Sequence, residues 1–203
     1  MTAQPATKLT PQEYLAIERQ NEVKSEYWNG DLFAMAGASR WHNLIITNVV
    51  SELRVQLKGR SCEVYPSDMR VRIPRSTAYR YPDVIVICGQ PQFEDEQHDT
   101  LLNPTIIIEV LSPSTEAVDR GTKFGQYRKI DSLREYLLIS QETPLIERYV
   151  RQGDTPFWLL SDATGLEANL EVSSIECVLA LAEVYDKVEL ENKDFKTTST
   201  NTH

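Results

Sequence analysis

A single charged residue inside an apolar segment limits what this chain can fold into more than any other feature. Glu109 lies in the run Ile-Ile-Ile-Glu-Val-Leu at 106–111. Short β-branched runs bounded by Ser and Pro are typical of strands that are buried on both faces. A carboxylate buried there costs several kcal/mol unless its charge is compensated, and a bound cation is the most economical compensation.

A second apolar run, Val-Ile-Val-Ile-Cys at 84–88, directly follows Asp83. Side chains alternate between the two faces of a strand. One face of each predicted strand therefore carries an acid with its apolar neighbours: Asp83, Ile85 and Ile87 on the first, and Ile107, Glu109 and Leu111 on the second. If the strands are neighbours, the two carboxylates converge.

A helix is predicted next, with Ser114 or Thr115 as its N-cap and an end near residue 130. Asp119, Lys123 and Tyr127 are spaced four apart, so they share one helix face. From that face Lys123 could reach back toward the carboxylates.

Plainer interpretations of these residues stay open. Pro82-Asp83 is also the sequence of an ordinary turn before a strand. Asp119 and Lys123 could form a simple surface ion pair worth a few tenths of a kcal/mol.

Composition indicates one ordinary globular domain. The 203 residues are 41% hydrophobic and 25% charged. We expect disordered tails at 1–8 and 192–203 around a single domain at 9–191. The chain has no apolar run of about 18 residues and no signal-type N-terminus, which predicts a cytoplasmic protein without a membrane segment.

The cysteines are odd in number and far apart, at Cys62, Cys88 and Cys177. This pattern supports neither a disulfide framework nor a CxxC zinc site, and Cys88 is predicted to be a small core residue.

The net charge of −9 argues against strong nonspecific binding to nucleic acid. Basic residues nevertheless cluster on both sides of the acids: Arg70, Arg72, Arg75 and Arg80, and then Arg120, Lys123, Arg128 and Lys129. These clusters are either nucleic-acid contacts or a solvated strand edge and helix surface.

Local signals predict the remaining elements. A capping box at 10–13 begins a helix that ends near residue 19, Asn29-Gly30 is a hairpin turn, and Ser39 begins a long helix that ends at Gly59. Strands follow at 62–65, 69–73, 135–140, 145–151 and 157–161, and then a helix at 178–185. The arginines of the strand at 69–73 are predicted to face away from the core. Residues 90–103 are predicted to be a polar surface insertion. The order predicts an α/β sandwich with a mixed central sheet.

The motifs Tyr-Pro-Asp-Val-Ile-Val, Ile-Ile-Glu-Val-Leu-Ser-Pro-Ser-Thr and Asp-Arg-Gly-x-Lys-x-x-x-Tyr resemble the Uma-type endonuclease family of the PD-(D/E)XK nuclease superfamily. The resemblance covers about residues 10–185 and implies an α+β restriction-endonuclease-like fold with a mixed central sheet flanked by helices. It also implies a Mg²⁺- or Mn²⁺-dependent endonuclease acting on DNA, as a homodimer. The usual lysine position of the superfamily is Leu111 here, so its role carries over to Lys123.

The resemblance assigns roles to particular residues. Asp83, Glu109 and the carbonyl of Val110 would hold the metal ion, and Lys123 would orient a water or stabilise the transition state. Glu26 is a candidate accessory acid, with a solvent-facing strand residue as the alternative. His42 could assist at the phosphate or could be a capping or packing residue.

Other predictions concern backbone and function. Gly121 and Gly125 would weaken the predicted helix, which suggests close backbone packing or substrate approach there. Two further functions stay open: a nuclease-like binding or regulatory module without turnover, and a metal-dependent hydrolase of small phosphate compounds.

Overall fold

The computed structural model of this chain describes residues 8–35 and 37–190. Residues 1–7 of the predicted tail at 1–8, the whole predicted tail at 192–203 and the domain boundary at 191 lie outside these ranges. Lys8, assigned to the first tail, is described and forms an ion pair with Asp31 at 3.2 Å.

The N-terminal region forms as its local signals predict. Helix α1 (Pro11–Glu18) begins with a complete capping box between Thr10 and Glu13. Strands β1 (Ser25–Trp28) and β2 (Asp31–Ala34) pair as an antiparallel hairpin. Asn29 and Gly30 have φ of 50° and 93°, the left-handed conformations that a type I′ turn requires.

Helix α2 (Arg40–Gln56) is the longest helix of the described residues, and Ser39 caps it by accepting a hydrogen bond from the backbone N–H of His42. Its buried face packs Ile45, Val49 and Leu53 against the central sheet. The apolar residues follow the helical period, so α2 lies with one face on the sheet. His42 is in the first turn of this helix.

The central sheet has six strands: β3 (Cys62–Pro66), β6 (Val84–Cys88), β8 (Ile106–Leu111), β9 (Glu135–Ser140), β10 (Leu145–Arg151) and β11 (Trp158–Thr164). Their order is β11-β10-β9-β8-β6-β3. The β8–β9 pair is parallel and the other pairs are antiparallel, so the predicted mixed sheet is confirmed.

A second sheet contains β4 (Arg70–Ile73), β5 (Ala78–Arg80) and β7 (Thr100–Leu101) beside the N-terminal hairpin, in the order β2-β1-β5-β4-β7. It packs on the face of the central sheet opposite α2, with Val71, Ile73 and Leu101 in the shared core. Strand β8, which carries Glu109, therefore lies between α2 on one side and the second sheet on the other.

The helical segment after β8 differs from the continuous α-helix expected. It consists of α3 (Glu116–Val118), a π-helical turn (Asp119–Lys123) and α4 (Phe124–Tyr127). Thr115 precedes it without a side-chain capping bond, because its hydroxyl hydrogen-bonds the hydroxyl of Ser112 instead. π-Helical turns insert one residue into a helix and occur frequently at functional sites.

The expectation of close backbone packing at Gly121 and Gly125 is wrong. A Cβ atom added at either position would meet nothing within 4 Å.

The predicted helix at 178–185 is only half correct. Strands β12 (Asn169–Val172) and β13 (Cys177–Ala180) form a hairpin around a 3₁₀ turn, and helix α5 (Leu181–Val184) follows. Cys177 and Leu179 are buried while Val178 is exposed, which is the period of a strand.

Cys62 and Cys88 form a disulfide, contrary to the expectation of unpaired cysteines. The two residues are directly opposite each other in the β3–β6 pair, a relation that the strand register creates and that sequence spacing does not reveal. Cys177 is free and buried.

The arginines of β4 face away from the core residues Val71 and Ile73, as expected, but Arg70 is not solvated and the segment at 90–103 is more than a surface insertion. Arg70 is only 2% exposed and forms an ion pair with Asp99 at 2.7 Å. Arg72 pairs with Glu94 at 2.8 Å. Residues 90–103 therefore supply strand β7 to the second sheet and acids to its arginines. The buried guanidinium of Arg70 requires such a charged partner.

Candidate active site

The antiparallel register of β6 and β8 brings the two sequence-predicted acids together. Val84 pairs with Ile108, so Asp83 lies opposite Glu109 one step further along. A carboxylate oxygen of Asp83 accepts a hydrogen bond from the backbone N–H of Val110 at 2.7 Å. Glu109 is 2% exposed, in a strand whose residues are all buried.

Lys123 contacts the second acid directly. Its Nζ lies 3.1 Å from Oε1 of Glu109, 2.9 Å from Oδ1 of Asp119 and 3.7 Å from Oε1 of Glu26. The Asp119 side chain is 2% exposed, so its contact with Lys123 is a buried ion pair and the surface interpretation is wrong. The amine is thus surrounded by three carboxylates.

Glu26 belongs to this cluster and is not a solvent-facing strand residue. Strand β1 places it on the second sheet facing Lys123, where it is 9% exposed. Arg80 donates to its Oε2 at 2.6 Å and to Oε1 of Gln126 at 2.9 Å. Arg80 is therefore a buried partner of the site acids, neither a solvated residue nor a nucleic-acid contact.

His42 reaches the same centre from α2. Its Nε2 lies 3.2 Å from Oδ2 of Asp83, while its Nδ1 is buried without a hydrogen-bond partner. Its contact with a site acid favours the functional interpretation over simple packing. The structure thus brings together Asp83, Glu109, Lys123, Glu26 and His42.

Three further residues of the cluster were not selected as site residues from the sequence. The Tyr127 hydroxyl donates to Oε1 of Glu109 at 2.8 Å. Asp119 and Gln126 hold Lys123 and Arg80 respectively. Asp119 and Tyr127 could have been found from the sequence, because each is four residues from Lys123. No local signal marks Gln126.

Burial and the mutual repulsion of the acids dominate the electrostatics of the cluster. Burial, with further contributions from the charges of Asp83, Asp119 and Glu26, raises the pKa of Glu109 to about 8, although Lys123 opposes the shift. Burial alone would lower the pKa of Lys123, but the charges of Glu109, Glu26 and Asp119 outweigh it and hold that pKa above its ordinary value. The three surrounding carboxylates therefore hold the Lys123 amine in its charged form.

The cluster carries more negative than positive charge. Its acids are Glu26, Asp83, Glu109 and Asp119, and the fixed cations in contact with them are Lys123 and Arg80. When all four acids are ionised, the imbalance equals the charge of one divalent cation.

Asp83 and Glu109 fit an oxygen-ligated cation by chemistry, because Mg²⁺ is usually held by one or two carboxylates with waters in its remaining positions. Within residues 8–35 and 37–190, no group of three or more His, Cys, Asp or Glu side chains is arranged as a ready metal cage. A cation would replace the Lys123 contact on one Glu109 oxygen or share that carboxylate. The residues therefore fit Mg²⁺ or Mn²⁺ and do not fit a zinc site.

Comparison with known proteins agrees with this geometry. A family model described as "Uma2: Putative restriction endonuclease" matches residues 11–182. The chain belongs to the Uma2 family. The match includes every residue of the acid–lysine cluster, from Glu26 to Tyr127.

Two similar proteins match this chain over nearly their whole length. Uncharacterized protein sll1609 of Synechocystis sp. is 42% identical over 165 residues, covering 81% of this chain and 93% of that protein. Uncharacterized protein slr1290 of the same organism is 36% identical over 181 residues, covering 89% and 93%.

A solved structure shares the fold. A crystal structure titled as a putative nuclease belonging to DUF820, from Anabaena variabilis, superposes with a TM-score of 0.74 over 89% of this chain and 99% of that chain. Its sequence identity of 19% shows the restriction-endonuclease-like fold alone. Among the described residues, this Uma2 family member has no helix with the length and apolar character that crossing a membrane demands.

Proposed function

We propose that this protein is a Mg²⁺- or Mn²⁺-dependent endonuclease that hydrolyses phosphodiester bonds of DNA. The observation that carries the proposal is the meeting of Asp83, Glu109 and Lys123 at one point between the two sheets. Family membership and the nuclease-like fold support it.

Each residue has a separate task in this proposal. Asp83, Glu109 and the carbonyl of Val110 would hold the cation, which when bound supplies charge to offset that developing on the scissile phosphate and acidifies a water. Lys123, held by Asp119, presents its ammonium where the phosphate charge develops or orients the attacking water. Tyr127 fixes the Glu109 carboxylate by donating to it.

Glu26 and His42 have supporting tasks. Glu26 lies 3.7 Å from Lys123 and helps to keep that amine protonated. The contact of His42 Nε2 with Asp83 fixes the orientation of the carboxylate that would hold the cation at the phosphate.

Homodimer formation and a cytoplasmic location are further parts of this proposal. A homodimer would bring two active sites to one DNA molecule. The edge strand β11 and the residue before it expose Phe157, Leu159 and Leu160 at 71%, 56% and 53%, which is a surface that a second copy could cover. Light scattering that gives the mass of one chain at micromolar concentration would contradict the dimer.

The direct test is metal-dependent cleavage of circular DNA. Circular single-stranded DNA and supercoiled plasmid should both be incubated with Mn²⁺ and either wild-type protein, Asp83→Asn or Lys123→Ala. We expect the wild type to cleave at least one substrate and both variants to lose the activity while retaining their circular dichroism spectra. Equal cleavage by all three proteins would assign the activity to a contaminant.

A nuclease-like module without turnover is the second candidate. It is favoured by the direct contact of Lys123 with Glu109 and by the net charge of −9, which disfavours DNA binding. This candidate predicts no Mn²⁺ binding at millimolar concentration. Hydrolysis of nucleotides but of no polymer would instead identify the small-phosphate hydrolase.

A further inference from the structure

An aromatic residue extends a row of active-site side chains to the open edge of the second sheet. Directly paired residues on neighbouring strands point to the same face. Strand pairing joins Leu101 to Val71, Val71 to Arg80 and Glu26 to Phe33. The ion pair between Arg80 and Glu26 at 2.6 Å links these pairs into one row on one face of the sheet. The row begins in the core, passes through the Arg80–Glu26 ion pair and ends at Phe33.

Phe33 is 46% exposed, although its neighbour in the row, Glu26, is 9% exposed and lies 3.7 Å from Lys123. The next residue toward the turn, Leu32, is similarly exposed at 40% but pairs with Tyr27 and so faces the opposite side. An exposed aromatic ring therefore stands beside the acid–lysine cluster on the cluster's own face.

A cation–aromatic pair directly precedes His42 in the chain. The guanidinium carbon of Arg40 lies 4.4 Å from the ring centroid of Trp41, and Arg40 is exposed. His42, which contacts Asp83 at 3.2 Å, follows directly in the first turn of α2. A flat cationic surface of this kind can stack on a base or face a phosphate.

The basic clusters, in contrast, are mostly committed to other partners. Ion pairs occupy Arg70, Arg72, Arg75, Arg80, Arg120 and Lys123. Binding to duplex DNA depends largely on cations free to replace phosphate counterions. The site therefore offers an aromatic group at its rim and few uncommitted cations beside it.

Resting on the proposed nuclease function, we infer that Phe33 stacks on an unpaired base of the substrate, so the substrate is a DNA strand whose bases are unpaired next to the cleaved phosphate. Base stacking on an aromatic ring does not require a net positive surface and tolerates any base sequence. In a duplex the base faces are already stacked on one another and are closed to Phe33.

The test compares binding and cleavage. Binding of a fluorescein-labelled thymine oligonucleotide, and of the same strand in a duplex, is measured by anisotropy in EDTA, so that no cleavage occurs. The proteins are wild type, Phe33→Ala, Phe33→Trp and the matched control Leu32→Ala. Cleavage of both DNAs is then measured with Mn²⁺.

We expect the wild type to bind the single strand more tightly than the duplex. Phe33→Ala should weaken single-strand binding about 5- to 150-fold, the range that about 1–3 kcal/mol per stacked base gives. Phe33→Trp and Leu32→Ala should bind like the wild type. Equal single-strand binding by Phe33→Ala and the wild type, or tighter binding of the duplex, would overturn the inference.

The two proposals fail separately. Phe33-dependent binding of single strands without any Mn²⁺-dependent cleavage would overturn the nuclease function and keep the stacking role. Asp83-dependent cleavage that Phe33→Ala leaves unchanged on both DNAs would overturn the stacking role and keep the nuclease.

Discussion

Two regions of this molecule bury charged side chains, and they do so with opposite consequences. In the first, next to β7, Arg70 and Arg19 both pair with Asp99, at 2.7 and 2.8 Å. In the second, the acid–lysine cluster, Lys123 contacts three carboxylates. Cations match acids in the first region, whereas acids outnumber cations in the second.

The pKa values follow this difference. Hydrogen bonds from Arg19, followed by smaller contributions that include Arg70, hold the pKa of Asp99 well below its ordinary value. Burial raises the pKa of Glu109 to about 8. An acid paired with cations, as Asp99 is, stabilises the fold, whereas a buried acid with a raised pKa in a cluster of like charges indicates a functional site.

The largest expected effect is on catalysis, at Asp83. Asp83→Asn keeps an acceptor for the N–H of Val110, so the local backbone is retained. We expect Mn²⁺-dependent DNA cleavage to fall by about 10³-fold or more, because a metal ligand and its charge are lost. Initial rates on circular DNA measure this, and a loss below about tenfold would contradict the role of Asp83.

The next effect is on stability, at Arg70. Arg70→Leu removes bonds to Thr100, Tyr81 and Asp99. We expect the free energy of unfolding in urea to fall by about 2–4 kcal/mol. Glu109→Gln in metal-free protein should not lower it at pH 7, since the raised pKa of this carboxyl means that folding of the wild type must take up a proton there, a cost that the neutral amide avoids. Equal destabilisation by both variants would erase the distinction between the regions.

A third effect is the pH dependence of metal-free stability. The pKa of Glu109 rises from 4.5 to about 8 on folding, so the folded state binds the proton more tightly. Its stabilising contribution is complete below pH 4.5 and is lost as pH rises through about 8. Between pH 6 and 9 we expect the free energy of unfolding of the wild type to fall by about 1–3 kcal/mol more than that of Glu109→Gln. Parallel pH curves for the two proteins would contradict the shift.

The smallest effect concerns the helix that carries Tyr127. Because an added Cβ at Gly125 meets nothing within 4 Å, Gly125→Ala should raise the free energy of unfolding by about 0.5–1 kcal/mol. Thermal unfolding measures this, and a loss of stability would mean that the backbone there cannot accept a side chain.

The sequence predicted the acid–lysine cluster better than it predicted the paired region. Strand alternation and helix spacing are local, so they placed Asp83 opposite Glu109 and put Asp119 beside Lys123. Asn29-Gly30 likewise fixed its hairpin through backbone preference alone.

Long-range pairing could not be predicted in the same way. Arg70 and Arg80 look solvated in the sequence, because the acids that permit their burial, Asp99 and Glu26, are distant along the chain. The Cys62–Cys88 disulfide depends on the register of two strands. The π-helical turn at Lys123 departs from the helical period on which the prediction was based.

The central claim is that the surplus acids of the cluster are completed by one divalent cation. Calorimetric titration of Mn²⁺ into wild-type protein, Asp83→Asn and Glu109→Gln tests it most directly. The account predicts one ion bound per wild-type chain and no measurable binding by either variant. Absence of binding by the wild type at millimolar Mn²⁺, or equal binding by all three proteins, would contradict it.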